Sequence, residues 1–270
     1  MTDKLRFYQI NLNKSEGAQA NLLVKLSEIK DKNFVCLIQE PHIRGLKLTS
    51  IDKRYMQVLD GKGNETSWPR AMIVASKALQ LSQIGALTFR DTTCINLHTP
   101  TEELILVSSY QDITFPDVIN NIDKCVEHSK SANKNIIIGT DSNAHSELWM
   151  SESANLRGKV FEDFITSNDL FVCNTGNKYT YDCATSQSII DVTIVSTPTV
   201  DRIQNWKVHD EDYLSDHRSI TFDLSFDKPL PCLFRNFKKA NWSYFKCLLS
   251  KKVLENPPKF WSKETIELEA

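Results

Sequence analysis

No pair of the seven cysteines in this 270-residue chain is spaced Cys-x-x-Cys. They stand scattered at 36, 94, 125, 173, 183, 232 and 247 and are odd in number. That pattern argues against a zinc ribbon or a secreted disulfide framework and for a reducing compartment. No apolar leader follows Met1, where Thr2-Asp3-Lys4 stand, so no secretory signal is expected. Nor does any apolar run approach the roughly 20 residues that cross a bilayer. Charge of one sign is also missing: 32 Lys and Arg face 34 Asp and Glu, a net charge of -2. A basic surface, if there is one, must be local. Neither a linker nor an internal repeat divides the first 226 residues. What is present is an ordinary composition for a soluble, intracellular protein, 41% hydrophobic and 24% charged. The chain is long enough to bury a substantial core as one large α/β domain or two small ones.

Periodicity supplies the elements. Leu5–Ile10 reads as a strand that delivers Asn11-Leu12-Asn13 to its end. From about Ser15 to Lys30, Ala18, Leu22, Leu26 and Ile29 recur at helical spacing. Phe34–Ile38 is a continuous apolar run before Gln39-Glu40-Pro41, the pattern of a strand buried on both faces. A second such run, Asn135–Gly139, delivers Asp141. Between them, strands are expected at about Tyr55–Leu59, Arg70–Ala75, Thr92–His98 and Glu103–Tyr110. A helix starting near Pro116 carries Val118, Ile119, Ile122 and Val126. After a helix over Arg157–Ser167, strands are expected at Leu170–Asn174, Lys178–Tyr181, Ile189–Val195, Ile203–His209 and Ser219–Phe226. The chain falls into two blocks, each mixing several strands with one or two helices, and the burial pattern suits two sheets packed face to face with helices outside. The domain should close near residue 228. Residues 229–270, rich in Lys, Arg and aromatics, read as a linker tail that stops without a globular ending.

Five polar clusters fall at the ends of these strands: Asn11, Gln39-Glu40, Asp141-Ser142-Asn143, Ile190-Asp191 and Ser215-Asp216-His217. Glu40 and Asp216 are hard oxygen donors of the kind that hold Mg²⁺ for phosphate chemistry. An Asp at position 141 can orient or deprotonate a water, and Asn143 can donate to a phosphate oxygen. Asp191 lies in an apolar run and needs a partner, for which His217 is suited. Asn11 and Tyr110 are neutral donors at strand ends. Taken singly, each cluster has a plainer reading as an Asx turn, a cap or a surface carboxylate. Their joint occurrence points to a site.

In this order, the clusters resemble the endonuclease/exonuclease/phosphatase superfamily. Within it the resemblance is to the endonuclease domain of LINE-type (non-LTR) retrotransposons. It is carried by Gln39-Glu40-Pro41-His42, by Asp141-Ser142-Asn143-Ala144-His145 with Leu148-Trp149, and by Arg157-Gly158. Asn174-Thr175-Gly176, Thr180, Ser188-Ile189-Ile190-Asp191-Val192-Thr193 and Tyr213-Leu214-Ser215-Asp216-His217 complete it, over about residues 5–226. Gly139-Thr140-Asp141-Ser142-Asn143 carries one extra residue after the glycine relative to the family's Gly-Asp-Phe-Asn, but keeps Asp-x-Asn. Where some relatives carry Asp, this chain has Asn13.

The resemblance implies an α/β fold, a four-layer αββα sandwich of two packed mixed β-sheets flanked by helices. It implies Mg²⁺, with Mn²⁺ as the alternative, held by Glu40 and Asp216. It implies catalytic roles for Asn11, Glu40, Tyr110, Asp141, Asn143, Asp191, Asp216 and His217, and substrate contacts from Tyr110, Asn143, Thr180, Ser188 and Ser215. A hairpin over Tyr181–Gln187, with Asp182, Thr185, Ser186 and Gln187, would help choose the target. The implied activity is a nick in one strand of double-stranded DNA, leaving a 3′-hydroxyl that primes reverse transcription. The same polyprotein would carry the reverse transcriptase downstream, act on genomic DNA in the nucleus, and use this domain as a monomer. Basic stretches at His42–Arg54 and Arg235–Lys252 suit phosphate contacts. Two alternatives share the scaffold: a phosphoesterase acting on abasic DNA or a small phosphorylated substrate, and a silent binding module. The first differs in substrate, the second in lacking metal binding.

Overall fold

A computed structural model describes residues 4–29, 33–44, 47–48, 54–63, 67–114, 119–210, 214–226 and 242–255. Sixteen strands and four α-helices follow in chain order. They are β1 Lys4–Asn11, α1 Glu16–Glu28, β2 Phe34–Gln39, β3 Ile43–Arg44, β4 Lys47–Leu48, β5 Met56–Asp60, β6 Ala71–Ser76 and β7 Gln80–Gln83. Next come β8 Thr92–His98, β9 Glu103–Tyr110, α2 Asn120–Ser131, β10 Asn135–Asp141, α3 Leu156–Ser167 and β11 Leu170–Val172. β12 Tyr181–Cys183, β13 Ser186–Ser188, β14 Asp191–Ser196, β15 Ile203–Val208, β16 Ile220–Ser225 and α4 Trp242–Glu255 complete the described chain.

The first sheet runs β15-β16-β1-β2-β6-β5 and the second β11-β14-β10-β9-β8-β7. Both are mixed: β1 is parallel to β2 and antiparallel to β16, and β10 is parallel to β9 and antiparallel to β14. The two doubly buried runs are central strands, and their alternation shows why they are apolar throughout. In β2, Val35 and Leu37 face the core between the sheets, while Phe34, Cys36 and Ile38 join Ala18, Leu22 and Leu26 of α1. In β10, Ile137 faces the inter-sheet core, and Ile136 and Ile138 meet Ile122 and Val126 of α2 and Phe161 and Phe164 of α3. One helix layer, two sheets and a second helix layer give the αββα sandwich.

The helices have local causes as well. The Ser15 hydroxyl caps α1 by accepting from the Ala18 N–H, and Asn155 caps α3 by accepting from the Gly158 N–H. Gly158 has no substitute: a Cβ there would lie 1.7 Å from the His145 carbonyl oxygen. Gly139 marks a close approach between the sheets, since a Cβ would come within 2.7 Å of Leu37 Cδ1 and 2.9 Å of Gln9 Oε1.

Toward the strand ends the inter-sheet layer turns polar. Gln9 Nε2 donates to the Thr140 and Val192 carbonyls at 3.3 Å each, and Thr193 Oγ1 donates to Gln9 Oε1 at 2.8 Å. Gln39 Nε2 reaches Ser108 Oγ at 2.9 Å and the Gly139 carbonyl at 3.1 Å. Buried amides bonded across the two sheets set their register against each other, where apolar contacts alone would tolerate sliding.

The first sheet joins both ends of the domain, since β15 and β16 complete it beside β1. Two expectations need correction. The residues around Lys178 precede the short β12–β13 hairpin and form no strand before Tyr181. The tail contains α4, a run of 14 residues with neither Gly nor Pro inside it, followed by Pro257-Pro258. The chain divides into two compact units, residues 1–228 and 229–270. Pro116 and Val118 lie outside the described residues; α2 begins at Asn120.

Candidate active site

Strand register assembles the site. Asn11 is paired with Gln39 at the common end of β1 and β2, and Asp141 is paired with both Tyr110 and Asp191 at the same end of the second sheet. β16 lies antiparallel to β1, with Gln9 opposite Ile220, so the residues just before β16 arrive at that rim. Those residues include Ser215, Asp216 and His217. Ser215 Oγ donates to the Asn11 carbonyl at 2.8 Å and accepts the His217 N–H at 3.2 Å, which ties the loop to β1.

The second-sheet side of the site is buried. His217 Nδ1 lies 2.8 Å from Asp191 Oδ2, and its Nε2 is 3.9 Å from Asp141 Oδ2, too long for a hydrogen bond. Asn11 Nδ2 donates to Asp141 Oδ2 at 2.7 Å, and the Asn143 N–H donates to Asp141 Oδ1 at 3.1 Å. Burial, then the nearby Asp191 charge, pushes the Asp141 carboxyl up to about 7. Burial pulls the His217 imidazolium down, but Asp191, Asp141 and Glu40 outweigh it and hold the group at about 9. Asn143 sits in the left-handed region (φ 46°), with its amide donating to the Gln111 carbonyl at 3.0 Å.

The other side is gathered by the loop after β1. Lys14 Nζ lies 2.8 Å from Glu40 Oε1, and Asn13 Nδ2 donates to Asp216 Oδ2 at 3.1 Å. With Asn11, three residues within four positions thus touch the three carboxylates of Asp141, Asp216 and Glu40. Glu40 has φ 42°, a conformation costly for a residue with a side chain. Its N–H donates to the Arg70 carbonyl and its own carbonyl accepts the Lys14 N–H, both at 2.8 Å. Asn13 and Lys14 (φ 47° and 56°) and Leu214 (φ 62°) share this backbone state, so the strain concentrates at the rim.

Tyr110 is half-buried, with its ring 4.6 Å from the Arg70 guanidinium. Burial, then the Glu40 and Asp141 charges, raises its phenol pKa. Arg70 itself forks onto Asp91 at 2.6 Å and reaches Asp112. Sequence reading missed Lys14, Arg70, Asp91 and Asp112. Arg70 stands one position before an apolar strand, which was the signal available. Arg157 was legible only through the resemblance, and its guanidinium donates to the Gln111, Asp112 and Ser142 carbonyls.

Three expected substrate contacts are engaged internally. Thr180 is fully buried, and its Oγ1 accepts the Ile190 and Asp191 N–H groups, fixing the strand that carries Asp191. The Ser188 carbonyl accepts the Thr180 N–H, and Ser215 holds its own loop as described. The expected hairpin is β12–β13. It is joined to the His217 loop by Asp182 N–H donating to the Asp216 carbonyl at 2.7 Å and by the Arg218–Asp182 ion pair. The Tyr181 ring also meets the His217 ring edge-to-face at 5.0 Å. Tyr213 and, of the basic stretches, residues 45–46, 49–53 and 235–241 lie outside the described residues.

As for a metal, Asp141, Asp191 and His217 are the described group whose ligand atoms all lie within 4.8 Å of one another. Asp191 Oδ2 is engaged by His217 and both Asp141 oxygens accept N–H groups, while Asp191 Oδ1 is buried with no hydrogen-bond partner. Glu40 and Asp216 are hard carboxylate donors outside that group, and each faces a positive or N–H group, Lys14 or Asn13. That chemistry fits a small divalent cation.

The fold and these strand-end acids define the endonuclease/exonuclease/phosphatase class, and comparison with known proteins agrees. A family profile described as endonuclease-reverse transcriptase matches residues 94–221. The 115 kDa protein of the type-1 retrotransposable element R1DM of Drosophila melanogaster is 25% identical over 272 residues, covering 94% of this chain and 26% of its own length. A Pol polyprotein of the type-1 element R1 from Bradysia coprophila is 33% identical over 122 residues, 42% of this chain and 12% of the relative. The endonuclease domain of TRAS1, a telomere-specific non-LTR retrotransposon, superposes with TM-score 0.70 at 26% identity, covering 83% of this chain and all of that one. An abasic-site endonuclease from Leishmania major shares the fold at TM-score 0.65 and 11% identity, over 82% of this chain and 88% of that one. The chain has the abasic-endonuclease-like fold and is similar in sequence to the endonuclease region of non-LTR retrotransposon proteins. It spans about a quarter of the length of the R1DM relative.

Proposed function

We propose that this domain is a Mg²⁺-dependent endonuclease that nicks one strand of duplex DNA and leaves a 3′-hydroxyl as primer for reverse transcription. The observation that carries the reading is the Asn11–Asp141 and Asp191–His217 pairs meeting across the two sheets, with 3.9 Å between His217 and Asp141. Asp141 accepts a proton from the attacking water, for which a carboxyl at about 7 is suited near neutral pH. The water oxygen bonds to phosphorus, the P–O3′ bond breaks, and O3′ leaves to become the hydroxyl after taking up a proton. His217, kept charged by Asp191, donates from Nε2 to a phosphate oxygen as negative charge grows there. Asn143 and Tyr110 are the neutral donors beside that oxygen, and Asn11 keeps Asp141 in place. Glu40 and Asp216 would hold the Mg²⁺, or Mn²⁺, which supplies Lewis-acid stabilisation of the leaving oxygen. The full protein would continue into a reverse transcriptase and act on genomic DNA in the nucleus, with this domain monomeric.

Supercoiled plasmid with Mg²⁺ tests the reading: the wild type is expected to relax it, and Asp216→Ala and His217→Ala are not. Equal behaviour of all three in clean preparations overturns it. Phosphate release from small phosphorylated compounds without nicking would point instead to a phosphoesterase.

A further inference from the structure

Glu40 also lines a pocket of about 360 Å³, and Trp68, Pro69 and Arg90 in that lining have no part in the roles above. Lys14, Glu40 and Pro41 line it together with Trp68, Pro69 and Arg90. Trp68 is 46% exposed, unusual for the side chain that loses most by meeting water. Its exposure does not come from a loose segment. The Arg70 N–H donates to the Arg90 carbonyl at 2.7 Å, and Arg90 Nε donates to the Trp68 carbonyl at 3.3 Å. Gly63 approaches so closely that a Cβ there would lie 2.4 Å from Pro69 Cδ. The indole is therefore presented to the pocket by a tied-down backbone.

The charges are divided by role. Arg70 spends its guanidinium on Asp91 and Asp112 beneath the pocket. Arg90 is 43% exposed and 3.8 Å from Asp91, and Lys14 is 63% exposed. Lys14 is paired with Glu40 at 2.8 Å, which leaves Arg90 as the solvent-reaching cation beside an open aromatic face. A bare anion would leave the indole unused, and an apolar ligand would leave the guanidinium unused. A nucleotide uses both, because its base offers a π-face and its phosphate a negative charge. The volume also falls within the range of small-ligand sites.

We propose that this pocket receives one nucleotide of the DNA next to the scissile phosphate, with its base against Trp68 and its phosphate met by Arg90. The proposal rests on the nuclease reading and adds a determinant of cutting position separate from the β12–β13 hairpin. A base drawn out of the stack costs least at easily deformed steps, so the pocket favours sites where the strand opens readily.

The test uses the whole 270-residue chain. Binding is read by fluorescence anisotropy of a labelled duplex without metal, and nick positions are mapped on supercoiled plasmid with Mg²⁺. Trp68→Ala should bind about tenfold more weakly and scatter the nicks, while Trp68→Phe should stay within about twofold of wild type. Arg90→Ala should lower the slope of log affinity against log salt by about one. The Mg²⁺ concentration for half-maximal nicking should not move in Trp68→Ala, which separates the pocket from the metal site. Wild-type affinity and an unchanged nick map for Trp68→Ala would overturn the proposal. So would a Trp68→Phe variant as weak as Trp68→Ala, since stacking would then not be the contact. A wild type that binds but never nicks would sink the nuclease reading alone, and the anisotropy series would still judge the pocket.

Discussion

The two sides of the site are held by different means. Asp141, Asp191 and His217 are buried and bonded to one another or to Asn11, with Thr180 fixing the backbone behind them. Glu40 and Asp216 are held from the loop after β1 by Lys14 and Asn13, and the Lys14 side chain is 63% exposed. In the interior, charges need fixed partners, and such partners leave the imidazole one orientation and one charge state. At the edge, a lysine can swing aside when a stronger cation arrives. The buried side is suited to acting on phosphate and water, and the open side to loading a metal.

His217→Ala should break the comparison most. On the proposed mechanism it removes the donor to the phosphate, which typically costs about 10²–10³ in turnover. It also leaves Asp191 buried without its partner, a loss of about 3–5 kcal/mol. Plasmid nicking and thermal melting would read the two effects separately, and a near-normal rate would mean that the buried side does not do the chemistry.

Asp191→Asn should act next, through pH. His217 is raised from 6.5 to about 9 because the carboxylates outweigh burial. The stabilisation from its charge is therefore complete below 6.5 and is lost as pH rises through about 9. In the variant an NMR titration should place the imidazole midpoint lower, and the stability lost between those pH values should shrink. An unmoved midpoint would assign the shift to Asp141 and Glu40 instead.

Lys14→Met should have the smallest effect and the opposite sign. An exposed ion pair is worth about 0.2–1 kcal/mol, so freeing Glu40 should lower the Mg²⁺ needed for half-maximal nicking by about two- to fivefold. A rise in that requirement would show that Lys14 supports the metal site and does not compete for it.

Much of this arrangement was legible in the chain itself. The two continuous apolar runs, Phe34–Ile38 and Ile136–Ile138, are central strands because only a strand covered on both faces can be apolar throughout. The acids that follow them, Glu40 and Asp141, sit at the rim for the same reason. Asp191 within Ile189–Val192 did require a partner, and His217 is the one bonded to it. Other features carried no comparable signal. Lys14 and Asn13 look like ordinary turn residues, and nothing local distinguishes Arg70 from any cation preceding a strand. Thr180 was a substrate contact by resemblance alone, and no local signal told that its Oγ1 accepts the Ile190 and Asp191 N–H groups. α4 was read as linker because its charges and aromatics suggested a surface role before a helical one.

Sequence alone determined which strands are central, which acids end them and which polar groups could not stand unpaired, since those follow from hydrophobic period and the cost of burying charge. The pairing of β16 with β1 was decided only in three dimensions. That pairing sets Ser215 against Asn11 and delivers His217 from more than 200 residues away. No local preference encodes it; it follows from which strand edges remain open once β1, β2 and β6 have paired, and from the Phe7–Phe222 stack that seals the join at 4.8 Å.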